Sequence, residues 1–331
     1  MRSGQAGKWL GLSIGALLLV CGLSSVAAAG EKAKTQEILL GFVQVSAEGT
    51  WRVANSHSIK TSAEEAGIQL LFKEGQNNYS NQVNELRELI ATGVDVLAYS
   101  PSQVDGWDEV LKEAKRANIP VVVVDRAIHT KDESLFVTHI GSDMVEEGRR
   151  AARWLVAFMT KNGKGKGQVR IAVLEGVKGS TPAVHRGQGF REVLQAHPNY
   201  QIVASQPADY MFSKGEDVMM GFLDARKGDI DVVFAHNDEM ALGAVEAVRK
   251  YGKIPGKDVV IIGVDAIKKA LEAVAKGELN ATIECSPLLG PQLMSVVKDI
   301  VSGKSIPRRV ITLEKDYDAS NAAAEIPKRV Y

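Results

Sequence analysis

Past the first thirty residues, short runs of β-branched and apolar residues alternate with longer segments whose apolar positions recur at helical spacing. The pattern predicts strands over residues 38–45, 68–72, 94–99 and 119–124, with helices over 51–66, 81–91 and 107–117 between them. Four consecutive valines in 119–124 close this first series. A second series then predicts helices over 144–159, 183–196, 215–225, 240–250 and 266–274, and strands over 169–174, 202–205, 232–235 and 259–264. The strands read as continuous apolar runs, which implies burial on both faces and parallel sheets flanked by helices. Two such series in tandem predict an α/β protein with two similar, doubly wound parallel-sheet lobes. Gly141-Ser142-Asp143 pairs a turn signal with a helix cap and marks the passage between them. The tail from Ala281 to Tyr331 predicts a strand, a helix over 290–301 and a strand over 309–313. It is too short for a domain and is expected to complete both lobes.

The opening segment changes the picture of where the chain works. Arg2 and Lys8 precede an apolar run from Trp9 to Leu23, and Ala27-Ala28-Ala29 supplies small residues for cleavage near Ala29 or Gly30. This is the layout of a secretory signal peptide over residues 1–29, too short for a membrane span. Cys21 follows Val20, which is larger than the residue a lipoprotein signal places there, so a lipid anchor is not expected. The chain has 40 basic and 40 acidic residues; cleavage would remove two basic and no acidic ones, leaving a net charge near −2. That balance lacks the basic excess of a nucleic-acid binder. Cys285 is then the sole cysteine, so neither a disulfide framework nor a cysteine zinc site is available.

In a parallel α/β sheet, ligands bind beyond the carboxyl ends of the strands. There the sequence places Asp125-Arg126, Glu175-Gly176 with Arg186 further on, His236-Asn237-Asp238, Asp265, and Glu48 followed by Trp51-Arg52. Each has a plain reading. The aspartates can cap helices, Trp51 can be core, the arginines can be solvated and His236 can be packed. Together they bring carboxylates, guanidiniums, a carboxamide and an aromatic face to one edge. Sugar hydroxyls both donate and accept, and the apolar side of a sugar ring stacks on an indole. The set suits a neutral polyol.

The stretches 119–126 (IPVVVVDR), 185–190 (HRGQGF), 205–209 (SQPAD), 235–244 (AHNDEMALGA), 263–265 (GVD) and 281–283 (ATI) together resemble the periplasmic sugar-binding proteins of the ribose/galactose type, which serve ABC importers. The likeness covers essentially the whole chain after the leader. It implies a type I periplasmic binding protein fold with a three-segment hinge, crossing near Gly141–Asp143, Cys285–Ser286 and Leu313–Glu314. The lobes would be 37–141 with 286–313, and 142–285 with 314–331. It assigns ligand contacts to Asp125, Arg126, Arg186, Asn237 and Asp265, aromatic platforms to Trp51 and Tyr210, and a polar contact to Ser100. The segment Glu48-Gly49-Thr50-Trp51-Arg52 is similar to the galactofuranose-binding branch, adding Glu48 and Arg52. Cys285 stands where ribose binders have glutamine. The implied ligand is a furanose, galactofuranose first and a pentose second, with an ABC permease as partner, no cofactor, no catalysis and a monomeric periplasmic protein.

Other signals carry less. The glycine-rich run 162–167 follows a helix and precedes a strand, the reverse of a dinucleotide fingerprint. The six histidines show no metal spacing, and no nucleophile elbow or calcium loop occurs. An exported glycosidase would use Asp125 and Asp265 as its carboxylate pair, with Arg126 expected to hold Asp125 ionised. A sensor module presenting sugar to a chemoreceptor or kinase would share the site. A repressor's effector domain would need a DNA-binding headpiece where the leader stands.

Overall fold

The computed structural model describes residue 1 and residues 37–47 and 49–331; the expected leader and Glu48 lie outside the described residues. The first lobe builds a six-stranded sheet from β1 (Leu39–Gln44), β2 (Gln69–Glu74), β3 (Val96–Tyr99), β4 (Val121–Val124), β5 (Thr138–Gly141) and β11 (Arg309–Ile311), in the order β11-β5-β4-β3-β1-β2. Every pairing in it is parallel. The second lobe repeats the plan with β6 (Val169–Glu175), β7 (Tyr200–Pro207), β8 (Val232–Ala235), β9 (Val260–Asp265), β10 (Ala281–Glu284) and β12 (Asp316–Asp318), ordered β12-β10-β9-β8-β6-β7. In each sheet the strand order reverses beside the lobe's first strand, the doubly wound arrangement whose switch point opens a crevice at the strand ends.

The valines of β4 show why the sheet is stable between two helical layers. Val122 and Val124 join one buried cluster with Leu40, Phe42 and Leu293, while Val121 and Val123 join the opposite one with Leu86, Trp107 and Leu111. In β8, Val232 and Phe234 face one layer and Val233 and Ala235 the other. Each such side chain contributes about 1.5–3 kcal/mol by leaving water.

Four features depart from the sequence reading. The first series does not end at β4: the chain continues through a short 3-10 turn (Glu133–Leu135) to β5, whose four residues Thr-His-Ile-Gly carry too little apolar signal to register. β12 reads Asp-Tyr-Asp and pairs antiparallel with β10, so the second sheet is not wholly parallel. The edge strands β2 and β7 are only half-buried, because one side of each has no neighbouring strand. Asp238 does not cap the helix after β8; Asn237 does, accepting from Met240 N at 3.0 Å.

The chain passes between the sheets three times: after β5 at Ser142-Asp143, after β10 at Cys285-Ser286, and between β11 and β12 near Glu314. At the first passage Asp143 accepts from Glu146 N at 3.0 Å and caps α4 (Met144–Lys161). Helix α4 then lies against α5 (Thr181–Leu194) at the closest approach glycine allows. A Cβ on Gly148 would stand 2.1 Å from Arg186 O, and one on Gly189 would stand 1.9 Å from Val145 O. This contact sets Glu147 beside Arg186. The substitution Gly189→Ala gains up to about 1 kcal/mol of helix propensity. It also drives a methyl into a helical carbonyl that cannot rotate away, costing about 1–3 kcal/mol. Urea unfolding should show a net loss of about 1–2 kcal/mol; a variant as stable as the parent would contradict this packing.

Candidate ligand-binding site

The site grows from the strand ends of both lobes. In the first lobe, β4 ends at Asp125, which takes the left-handed conformation (φ +64°) and turns its carboxylate inward. Its carbonyl accepts from His139 Nε2 at 2.8 Å. Burial, reinforced by Arg309, pulls the His139 pKa down to about 4, so this supporting ring is neutral near pH 7. Asp125 Oδ2 pairs with Arg52 Nη2 at 2.8 Å and accepts from Ser100 Oγ at 3.3 Å. The cation holding Asp125 is therefore Arg52, from α1 (Gly49–Ala66), rather than the adjacent Arg126. Arg52 Nη1 also reaches Ser100 Oγ (3.2 Å) and Gln44 Oε1 (3.3 Å), and its guanidinium stacks 4.6 Å from the Trp51 ring centre. Trp51 Nε1 donates to Cys285 O at 2.6 Å, fixing the indole against the second passage between the lobes.

Helix α1 buries Asn55, Ser56, Ser58 and Ser62 beside its apolar residues, and hydrogen bonds make this tolerable. Asn55 Nδ2 donates to Pro287 O at 2.9 Å, and Asn55 Oδ1 accepts from Gln44 Nε2 at 2.9 Å.

In the second lobe Arg186 is 3% exposed and fully engaged on its inner side. Its Nε donates to Glu147 Oε2 at 2.6 Å, Nη2 lies 3.5 Å from Asp265 Oδ1, and Nη1 donates to His236 O. Burial opposes its charge, but Glu147 and Asp265 outweigh that and hold its pKa well above the ordinary value. Burial pushes Asp265 well above the usual carboxylate range, aided by Asp238 and Glu147 and opposed by Arg186. His236 is the packed histidine the sequence allows: its ring lies 5.1 Å from Phe234, and burial beside Arg186 lowers its pKa to about 3. Asp238 is a strut, accepting from Thr282 Oγ1 (2.7 Å) and Ile267 N (2.9 Å). Burial raises its pKa to about 7. Asn237 spends one lone pair on its cap and one N–H on Tyr210 O (3.2 Å), which leaves one of each for a ligand. Tyr210 (φ +62°) stands over Gly176, where a Cβ would lie 1.9 Å from its Cζ. Its hydroxyl is 2.8 Å from Ser180 Oγ, and the Arg126 guanidinium lies 5.9 Å from its ring centre.

Trp51, Arg52, Asp125, Arg126, Arg186, Tyr210, Asn237 and Asp265 line one cavity of about 500 Å³, open solvent at its mouth included. Ser100 is not among the lining residues; it sits behind them, bracing Arg52 and Asp125. Glu48 lies outside the described residues. Sequence reasoning missed Thr50, Pro182, Glu239 and Ile267 on the wall, and Gln44 beneath it. Gln44 had a signal, a polar residue closing an apolar strand; Glu239, the second residue of α7 (Asp238–Lys250), had none. Thr50 Oγ1 donates to Glu239 Oε1 at 2.6 Å and Thr181 Oγ1 to Ala127 O at 2.9 Å, so hydrogen bonds bridge the two lobes on either side of the cavity.

Two α/β lobes joined by three crossings around a cavity lined by charged and aromatic side chains define a bilobal small-molecule receptor. The chain belongs to the periplasmic binding protein family: residues 40–305 match its periplasmic binding protein domain. It is 36% identical over 316 residues to the galactofuranose-binding protein YtfQ of Escherichia coli (strain K12), covering 95% of this chain and 97% of that one. A Mycobacterium smegmatis protein solved in complex with β-D-fucofuranose superposes with a TM-score of 0.84 at 45% identity, covering 88% of this chain and 94% of that one. The binding component of the arabinose ABC transporter of Shewanella sp. ANA-3, bound to α- and β-L-arabinofuranose, gives 0.84 at 41% identity, covering 88% and 95%.

The Arg52–Asp125 pair is buried at both ends. Removing one partner strands the other, so Arg52→Met should cost about 3–5 kcal/mol in chemical denaturation. Adding Asp125→Asn should recover part of that loss. A single variant with parental stability would show that the pair does not hold this wall.

Proposed function

We propose that this protein is an exported receptor that captures a neutral furanose sugar between its lobes and presents it, unaltered, to an ABC permease. The observation that carries the reading is the convergence of Trp51, Asp125 and Arg126 from one lobe with Arg186, Asn237 and Asp265 from the other on a single cavity. Hydrogen bonds to charged groups contribute about 1.5–3 kcal/mol each, and micromolar affinity corresponds to about 8 kcal/mol, so a handful is enough. The fixed guanidiniums and carboxylates select a ring by hydroxyl direction, and the indole takes its apolar face. Relatives that bind galactofuranose, fucofuranose and arabinofuranose support a furanose, with galactofuranose first and a pentose second. The same relatives support a binding protein rather than an enzyme, working in the periplasm; we take it to be a monomer.

The lobes in this reading are 37–141 with 286–313 and 142–285 with 314–331, closing by rotation at the three crossings. A sugar touching both lobes favours the closed form because the open form offers it only one wall, and only such a difference shifts the balance. Trp51 is the indole in the cavity, whereas Trp107 is core and Trp154 donates to Asp318 Oδ2 at 3.0 Å. Fluorescence against a panel of galactofuranose, L-arabinose, D-fucose, ribose and glucose should therefore report binding. Calorimetry on Trp51→Ala and Arg126→Ala should each show affinity at least about tenfold weaker, or 1.4 kcal/mol, with the fold intact. Near-parental affinity in both variants would remove the site assignment.

A further inference from the structure

The three crossings meet at one side chain. Glu314, on the third, accepts at Oε1 from Ser142 Oγ on the first and from Ser286 N on the second, the latter at 3.0 Å. Ser142 Oγ is also 3.4 Å from Cys285 Sγ. Glu147, Cys285 and Glu314 bring two carboxylate oxygens and a sulfur within 4.8 Å of one another. Glu147 is fully buried, gives Oε2 to Arg186, and its Oε1 has no hydrogen-bond partner among the described residues. Such an acceptor facing a second carboxyl calls for a proton or a cation. A cation is disfavoured: the Arg186 guanidinium already neutralises Glu147, and two donors already occupy Glu314 Oε1.

We propose that Glu314, carrying a proton in the closed protein, is a positioning residue that clamps the three crossings and couples closure of the lobes to proton uptake. The proton comes from solvent and forms an O–H that donates toward Glu147. Burial and Glu147 push the Glu314 pKa up to about 8, against the Ser142 and Ser286 hydrogen bonds and Arg150. The other ionisable groups around it are Asp143 on the first crossing, Cys285 on the second, Arg309 on β11, Arg186 on α5 and Tyr331 near Ser286. The Cys285 thiol is held protonated by burial. The clamp reaches the cavity by two short routes: Glu147 to Arg186, and Ser286 through Cys285 O to Trp51 Nε1.

The sign follows from the raised folded value. Between the unfolded value of about 4.5 and the folded value of about 8, the folded state binds the extra proton, so its contribution to stability is full below pH 4.5 and fades as pH rises to 8. In sugar-free protein the Glu314 share should lower the melting temperature across that window and flatten above it, against a rise up to about pH 6.5 from the buried neutral His139 and His236. Glu314→Gln, which keeps the acceptor and an N–H donor, should lose that share of the slope; the shares of Asp238, Asp265, His139 and His236 remain in both proteins. The binding arm rests on the proposed sugar site. Calorimetric affinity for L-arabinose should weaken at least threefold more from pH 6 to pH 9 in the parent than in Glu314→Gln, since Asp265 and Asp238 titrate in both. Matching pH profiles in the two proteins, for melting and for binding, would overturn the clamp. If no panel sugar binds at any pH, the sugar reading fails, and the melting profiles alone still decide the clamp.

Discussion

Two buried guanidiniums hold the cleft together. Arg52 and Arg186 each leave water at a cost of several kcal/mol, and each is recovered only by carboxylates fixed at the right distance: Asp125 for the first, Glu147 and Asp265 for the second. The geometry of the strand ends follows from that requirement. Asp125 adopts a left-handed turn to meet Arg52, and α4 and α5 approach at Gly148 and Gly189 so that Glu147 meets Arg186. Once satisfied, the pairs become rigid donors and acceptors. A cavity lined this way pre-orients its polar groups, which lowers the ordering cost a ligand meets.

The same charges tie the cavity to the joint between the lobes. Trp51 touches the ligand space on one side and the second crossing on the other, and Arg186 links the ligand space to Glu147 in the helix that follows the first crossing. A small displacement at the crossings therefore moves the groups that meet the sugar, and occupancy of the cavity constrains the crossings in return. This reciprocity is what a receptor needs if a partner is to distinguish its loaded form.

Much of this was legible in the sequence, and the misses have physical causes. The β4 valines and the Val-Val-Phe-Ala of β8 announce strands buried on both faces, and Asp125, Arg126 and Asn237 just beyond them line the cavity. β5 and β12 escaped because a strand of three or four residues, half of them polar, carries no periodicity of its own; its neighbours in the sheet stabilise it. Pairing was the harder matter. Adjacency in sequence suggested Arg126 for Asp125, whereas the fold delivers Arg52 from a helix seventy-odd residues earlier. Glu147 lies inside α4, and only the docking of α4 on α5 brings it to Arg186; Glu314 was legible as part of the third crossing but not as the acceptor that joins it to the other two. Capping logic found Asp143 but placed the cap after β8 one residue late, since Asn237 and Asp238 are both able caps and only the burial of Asp238 decides between them.

A sugar that bridges the two lobes must draw them together. Small-angle X-ray scattering on the sugar-free protein and on the protein saturated with galactofuranose or L-arabinose tests it most directly. Loading should give a smaller radius of gyration and a loss of the longest interatomic distances. Superimposable profiles, with binding verified by calorimetry in the same samples, would contradict it.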